Sequence, residues 1–363
     1  MTTEMTATLL AFTTALVASL ALIVPVRQLA LRVGMVDLPG PRKVHLQPIP
    51  LLGGIAIYCG VLLGIVVSSG SQAITQSLGI LTGATLVILV GTLDDRGLLH
   101  HQIKLFVGMP VAGLILLASG IHAQVFSVFF PGRGGALADA LLTVFWVTGI
   151  TASFSIFDYM DGLCAGIAAI ASLFFAVFAT LSGQVLVSTL AAAVMGAALG
   201  FLYWNFNPAK IFMGDGGAMF LGFLMATLSL KLRMTGTSRA ADWLVPVLVL
   251  GVPIFDTTMV SISRSRRGLL PFATPGKDHT GHRLANCGLG TRFAVLTMYA
   301  LGFGFGALAL LVRTLGSEQA LGVTAAVCVV ALCAVALLEK APYERQQRKP
   351  KLQANSSQSG NSS

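Results

Sequence analysis

Residues 185–232 read VLVSTLAAAVMGAALGFLYWNFNPAKIFMGDGGAMFLGFLMATLSLKL. Two apolar runs, 185–204 and 216–232, flank a short polar segment that carries Asn205, Asn207, Pro208, Lys210 and Asp215. Each run approaches the roughly 20 residues a helix needs to cross a hydrocarbon core about 30 Å thick. No water in that core can satisfy a backbone amide, so such runs are read as helices. Nine more runs of this kind lie at 6–25, 51–69, 74–93, 104–121, 139–157, 163–182, 243–262, 292–312 and 319–338. The expected fold class is all-α, a polytopic integral membrane protein with about eleven transmembrane helices.

Composition agrees. Of 363 residues, 55% are hydrophobic and only 10% charged, with a mean hydropathy of +0.83, against roughly 25% charged in soluble domains. The net charge of +9 belongs to span-flanking residues that set topology and meet anionic lipid, which argues against nucleic acid. With the N-terminus outside and the C-terminus cytoplasmic, eighteen lysines and arginines fall inside and five outside, the asymmetry the positive-inside rule requires. The opening MTTEMT lacks a basic cluster, so the first span is expected to be retained and not cleaved as a signal peptide. Residues 1–340 are expected to form a transmembrane domain with cytoplasmic loops, and 341–363 a disordered cytoplasmic tail. The five cysteines, Cys59, Cys164, Cys287, Cys328 and Cys333, have no metal or disulfide spacing and read as small hydrophobes.

Acidic residues barely influence orientation, yet Asp37, Asp94, Asp95, Asp158, Asp161, Asp215, Asp256 and Asp278 all gather on the cytoplasmic side of this topology. Asp94-Asp95 ends the third span, and two carboxylates at a membrane boundary repel unless a cation or cationic substrate assembly relieves them. A solvated helix end is the plainer reading. Lys104, at the start of the next span, is either a phosphate contact or a snorkelling interface residue. Asp158 and Asp161 in FDYMDGLCAG share a face if the helix continues through them, and nothing in the segment neutralises them. A hard, oxygen-liganded cation such as Mg2+ fits. Gly214-Asp215-Gly216-Gly217 opens a helix whose N-terminus favours phosphate, with Lys210 nearby. The segment 264–292 carries Arg264, Arg267, His279, His282 and Arg283. The two histidines lack a third His or Cys and suit hard phosphate chemistry better than a transition metal, so the segment reads as a diphosphate cradle.

In order along the chain, DLPGPRKVHLQPIPLLGG, GTLDDRGLLHHQIKL, FDYMDGLCAG, NFNPAKIFMGDGGAMFLGF, and VPIFDTTMVSISRSRRG with DHTGHRL resemble the polyprenyl-phosphate N-acetylhexosamine-1-phosphate transferase superfamily (glycosyltransferase family 4). The likeness is greatest to its bacterial undecaprenyl-phosphate GlcNAc-1-phosphate branch. The resemblance implies transfer of a HexNAc-1-phosphate from a UDP-sugar to undecaprenyl phosphate, with release of UMP, at the bacterial inner membrane. The implied cofactor is Mg2+ or alternatively Mn2+. The implied partners are UDP-N-acetylhexosamine, undecaprenyl phosphate and the bilayer, with a homodimer left open. By position, Asp94 resembles the acid proposed to activate the lipid phosphate, with Asp95 beside it and Asp158 the first acid of its motif, all three catalytic. Asp215 and Asp161 match metal ligands, and Lys104, Lys210, Arg264, Arg267, His279, His282 and Arg283 are substrate-binding. Where relatives usually carry asparagines before the paired acids, this chain has Ala152 and Ser155. A weakened member acting as a binding subunit is therefore kept as an alternative, ahead of a phospho-MurNAc-pentapeptide translocase and a transporter.

Overall fold

The computed structural model describes residues 3–39, 47–68, 71–270 and 276–343. Residues 40–46 of the first motif, and 344–363 of the expected tail, lie outside the described residues. The helices run α1 Thr3–Arg32, α2 Gly53–Ser68, α3 Ser71–Asp95, and α4 His101–Ile103, which continues through a π-helical turn at Lys104–Gly108 into α5 Met109–Ala118. Then follow α6 Phe126–Phe129, α7 Arg133–Phe157, α8 Leu163–Leu181, α9 Val185–Asn205, α10 Gly214–Lys231, α11 Arg239–Val249 and α12 Gly251–Arg266. Helix α13 Thr280–Leu284 passes through a second π-helical turn, Ala285–Leu289, into α14 Gly290–Arg313, and α15 Ser317–Leu338 follows. Two short strands, β1 Val36–Asp37 and β2 Ile49–Pro50, pair antiparallel between α1 and α2.

All eleven apolar runs lie on helices, and the chain is a helical, multi-pass membrane protein. The number of spans differs from the expected eleven. Among the described residues, seven helices are long and apolar enough to cross a membrane, and a bent pair would make eight. Gly53–Ser68 and Lys104–Ala118 are shorter. The run at 243–262 is not one rod: Ala240–Val249 and Gly251–Arg266 meet at 71°, where Pro246 inside α11 removes a donor and Gly251 follows. Two boundaries also move. Helix α1 continues past Pro25 to Arg32, since one proline costs a single backbone bond when the flanking turns hold. Residues 280–289, which precede the apolar run at 292–312, are helical and join α14.

Helix α10 is the axis. From Gly214 to Leu230 nearly every residue is buried, and it packs against α2, α3, α7, α8 and α9. A helix apolar on every side belongs at the centre of a bundle. Helix α15 is the opposite case, with only Ala320 buried. Without a hydrophobic force between helices in lipid, close contact comes from small residues. A Cβ on Gly91 of α3 would lie 2.4 Å from the Cα of Gly216, and one on Gly54 of α2 would lie 2.4 Å from the Cα of Gly217. These contacts hold the start of α10 against the end of α3. Gly91→Ala should therefore lower the thermal midpoint, by the ~1–3 kcal/mol typical of overpacking. Gly149→Ala on α7, where nothing lies within 4 Å, should not; equal midpoints for both variants in a detergent melt would refute this packing.

Candidate active site

The end of α3 and the start of α10 are joined by backbone hydrogen bonds. Asp95 accepts the Asp215 N–H at 2.8 Å on Oδ1 and the Gly216 N–H at 3.2 Å on Oδ2. A carboxylate there satisfies free amides and meets the positive end of the helix dipole. Gly214 turns the chain at φ +70°, and a Cβ on it would sit 2.5 Å from Asp95 Oδ2 and 2.6 Å from Leu51 O, so glycine is required by both conformation and space. Asp95 is thereby occupied in seating α10. Its neighbour Asp94 points elsewhere: Lys104 Nζ lies 2.7 Å from Asp94 Oδ2 and also donates to Asp215 Oδ2. Lys104 opens the π-helical turn, a local widening often found at functional sites. Ser155, near the end of α7, donates to Asp215 Oδ1. Four side chains from four helical segments thus converge on one point.

Asp158 and Asp161 occupy the turn between α7 and α8. Gly162, at φ +79°, donates its N–H to Asn205 Oδ1 at 2.9 Å and accepts from Tyr299 Oη at 2.5 Å. Asp161 Oδ2 accepts from Asn207 Nδ2 at 3.1 Å and from the Ala209 N–H at 3.0 Å. Arg292 holds Asn207 from the other side at 2.8 Å. Asp161 therefore ties the two acidic loops together. For Asp158, burial first, then the negative charges of Asp215, Asp95 and Asp161, push the carboxyl up to about 7. Of these five acids, Asp94 and Asp215 touch Lys104, while Asp158 senses the negative charges of Asp215, Asp95 and Asp161.

The Asp158 shift has a sign that can be tested. Unfolded, the group titrates near 3.8 and folded near 7, so between these values the folded protein binds more protons and loses stability as pH rises. Without divalent cations, wild-type protein should lose thermal midpoint relative to Asp158→Asn on going from pH 5 to pH 8. Parallel melts of the two proteins in EDTA across that range would contradict it.

The histidine loop forms a second, adjoining assembly. Buried Asp256 of α12 accepts from His279 Nδ1 at 2.9 Å and from the Thr280 N–H at 2.7 Å. Tyr159, between the paired acids, stacks on His279 with ring centroids 4.2 Å apart and leans on His282 at 5.0 Å. Its hydroxyl accepts the Gly281 N–H at 3.0 Å. Asp278 is gripped by Arg264, through Nε at 3.1 Å and Nη2 at 2.7 Å, and by Arg267 Nη2. Burial would raise this carboxyl, but the hydrogen bonds and charge of Arg264, then Arg267, bring it down to about 2. Arg283 is fully buried and donates to Asp278 O, Ser263 Oγ and Leu338 O while pairing with Glu339 at 2.9 Å.

The sequence candidates therefore separate. Asp94, Lys104 and Asp215 meet directly, with Asp95 and Asp158 beside them. Arg264 and Arg283 turn inward and hold the histidine loop and the end of α15, with their donors spent on protein groups. Arg267 keeps Nη1 without a hydrogen-bond partner among the described residues, a donor that a ligand oxygen would satisfy. Lys210 is exposed and lies 5.4 Å above the Trp204 ring. Four contributors were not singled out as site residues from sequence: Ser155, Tyr159, Asn205 and Asp256. Asp256 had a signal, being an acid within an apolar run, and Ser155 stood out as a departure from the family pattern; Tyr159 and Asn205 became visible only through their partners.

Comparison with known proteins bears on this geometry. Residues 77–233 match the model of glycosyl transferase family 4. Over 306 residues the chain is 38% identical to a probable undecaprenyl-phosphate N-acetylglucosaminyl 1-phosphate transferase of Bacillus subtilis (strain 168), covering 84% of each chain. The chain belongs to glycosyl transferase family 4. It is also 32% identical over 348 residues to the decaprenyl-phosphate N-acetylglucosaminephosphotransferase of Mycolicibacterium smegmatis, covering 87% of this chain and 85% of that one. The undecaprenyl-phosphate alpha-N-acetylglucosaminyl 1-phosphate transferase of Escherichia coli (strain K12) is 26% identical over 284 residues, 76% of each chain. The family match extends from within α3 to just past α10 and so contains Asp94, Lys104, Ser155, Asp158, Asp161 and Asp215.

The donor set suits a hard divalent cation, because it consists of carboxylate oxygens and holds more negative charge than Lys104 offsets. Among the described residues no group of three or more His, Cys, Asp or Glu is arranged to hold a metal alone. A cation here would need oxygen ligands from a substrate, as Mg2+ usually takes from phosphates.

Proposed function

We propose that this chain transfers a HexNAc-1-phosphate, with GlcNAc-1-phosphate the first choice, from a UDP-sugar to undecaprenyl phosphate at the cytoplasmic face of a bacterial inner membrane. The products are a lipid-diphosphate sugar and UMP. The observation that carries the reading is the bridge of Asp94 and Asp215 by Lys104 beside a half-buried Asp158. This is a charge arrangement built to exchange a lysine for phosphate and cation, within a family whose named relatives transfer N-acetylglucosamine phosphate to polyprenyl phosphates.

Phosphoryl transfer needs positioning and charge stabilisation more than covalent help. A divalent cation, Mg2+ or Mn2+, held by Asp215 with Asp161 or Asp158 and by donor phosphate oxygens, would supply charge neutralisation at the diphosphate. Asp94 takes the proton of the lipid phosphate or orients its oxygen. That oxygen attacks the sugar-proximal phosphorus of the donor, the bond from this phosphorus to the bridging oxygen breaks, and the electron pair leaves with UMP. Released from its two acids, Lys104 follows the negative charge onto the phosphates. Asp95 keeps α10 seated, and Ser155 orients Asp215 from the position where the family usually carries an asparagine. Arg267, whose Nη1 has no hydrogen-bond partner among the described residues, and His282 supply contacts to the donor diphosphate.

A donor screen tests this. Purified protein with undecaprenyl phosphate and Mg2+ should release UMP from UDP-GlcNAc faster than from UDP-GalNAc or other UDP-HexNAcs. Binding of UDP-GlcNAc without UMP release would instead favour a silent binding subunit.

A further inference from the structure

Helix α10 carries the acidic cluster at its first turn and a cavity at its last. The cavity, about 370 Å³, lies at the far end of an 18-residue helix, where Leu230 is about 22 Å from Asp215 at 1.5 Å per residue. It plays no part in the chemistry above. Its walls are Phe129, Leu142, Trp146 and Trp243, and its charged groups are Arg233 and Asp242. A mainly apolar cavity with a few placed polar groups is the usual form of a small-molecule site.

Both charged groups are fixed and incompletely used. Arg233 Nη1 donates to Leu230 O at 2.7 Å and to Leu232 O at 3.2 Å, and Nη2 donates to His122 O at 3.1 Å. The backbone of Arg233 is held on both sides by Gln184. A guanidinium has five N–H donors, so two remain, and no carboxylate among the described residues forms an ion pair with it. Asp242 accepts from Thr237 Oγ1 at 2.7 Å on Oδ1, which leaves Oδ2. The Trp146 indole donates to Ser229 Oγ at 2.7 Å, so its ring is oriented with its polar atom satisfied. Tryptophans are characteristic of the membrane–water boundary. A fixed cation and a fixed anion at one mouth, above an apolar cavity at that depth, match a head group bearing both a phosphate and a primary amine over an acyl chain.

We propose that this cavity binds a zwitterionic aminophospholipid. The phosphate sits on Arg233, the ammonium on Asp242, and the acyl chain passes between Trp146 and Trp243. The chain has three tryptophans, so a Trp204→Phe background leaves these two as the only indole reporters. Phosphatidylethanolamine with brominated acyl chains, titrated into the purified full chain in detergent, should quench their fluorescence saturably. The midpoint should lie about 10-fold below that of brominated phosphatidylcholine or phosphatidylglycerol, the size expected of one charge-assisted hydrogen bond. Arg233→Gln and Asp242→Asn should each raise the phosphatidylethanolamine midpoint about 10-fold, and Asp242→Asn should leave phospho-sugar transfer unchanged. Equal midpoints for all three lipids, or no response to either variant, would mean ordinary surrounding lipid and overturn the proposal. A preference for phosphatidylglycerol would overturn it too, by showing an anion site only. Should Arg233→Gln fail to fold, the near-isosteric Asp242→Asn decides alone.

Discussion

Asp215→Asn is expected to lower phospho-sugar transfer by about 10³-fold, the scale seen when a group that stabilises transition-state charge is removed. The substitution keeps shape and a partner for Ser155 while removing the charge that Lys104 and Asp158 both sense. Asp94→Asn should cost about 10²–10⁴-fold, as expected for loss of a positioned base, because its carboxylate meets Lys104 from the opposite side. Both proteins should melt within a few degrees of wild type, since Asp95 performs the capping of α10. Initial rates of UMP release with matched melts check this, and undiminished turnover in both variants would end the assignment.

The largest effect on folding is expected at Asp278. It is fully buried, and Arg264, itself 3% exposed, and Arg267 converge on it. Asp278→Ala leaves two guanidinium groups facing each other with no counter-charge, and breaking a buried pair from one side costs about 3–5 kcal/mol. The variant should melt far below wild type or fail to accumulate. A buried pair replaced on both sides by apolar groups is often neutral, so adding Arg264→Met to Asp278→Leu should recover much of the loss relative to Asp278→Leu alone. A melt of Asp278→Ala indistinguishable from wild type would show that the histidine loop is held by something else.

Much of the architecture was legible because a bilayer permits few backbone solutions: every apolar run is helical. What hydropathy could not show is where a run is too short or bends. Lys104–Ala118 and Gly53–Ser68 are apolar but short, and the break between α11 and α12 comes from local backbone constraints within one continuous apolar stretch. The acids at the ends of α3, α7 and α10 stood out because charge at a membrane boundary is costly and needs a reason. Their division of labour was not readable. That Asp95 caps a helix and Asp161 ties two loops depends on which backbone amides lie opposite, and those come from residues 48 to 121 positions away. The partners of Arg264 and Arg283 were hidden for the same reason. A basic cluster near phosphate chemistry invites a cradle, yet Arg264 and Arg283 had buried partners that no spacing rule reveals. Ser155, noted first as an absent asparagine, proves to hold Asp215.

The most direct measurement follows the phosphorus. Purified protein is incubated with Mg2+, undecaprenyl phosphate and UDP-GlcNAc labelled at the phosphorus next to the sugar, and the organic and aqueous phases are separated. Label in the lipid phase together with unlabelled UMP in water is the expected result, and it should vanish with Asp215→Asn. Labelled UDP in water with an unlabelled glycolipid would mean that sugar alone had moved, and would contradict a site built to carry the phosphoryl group.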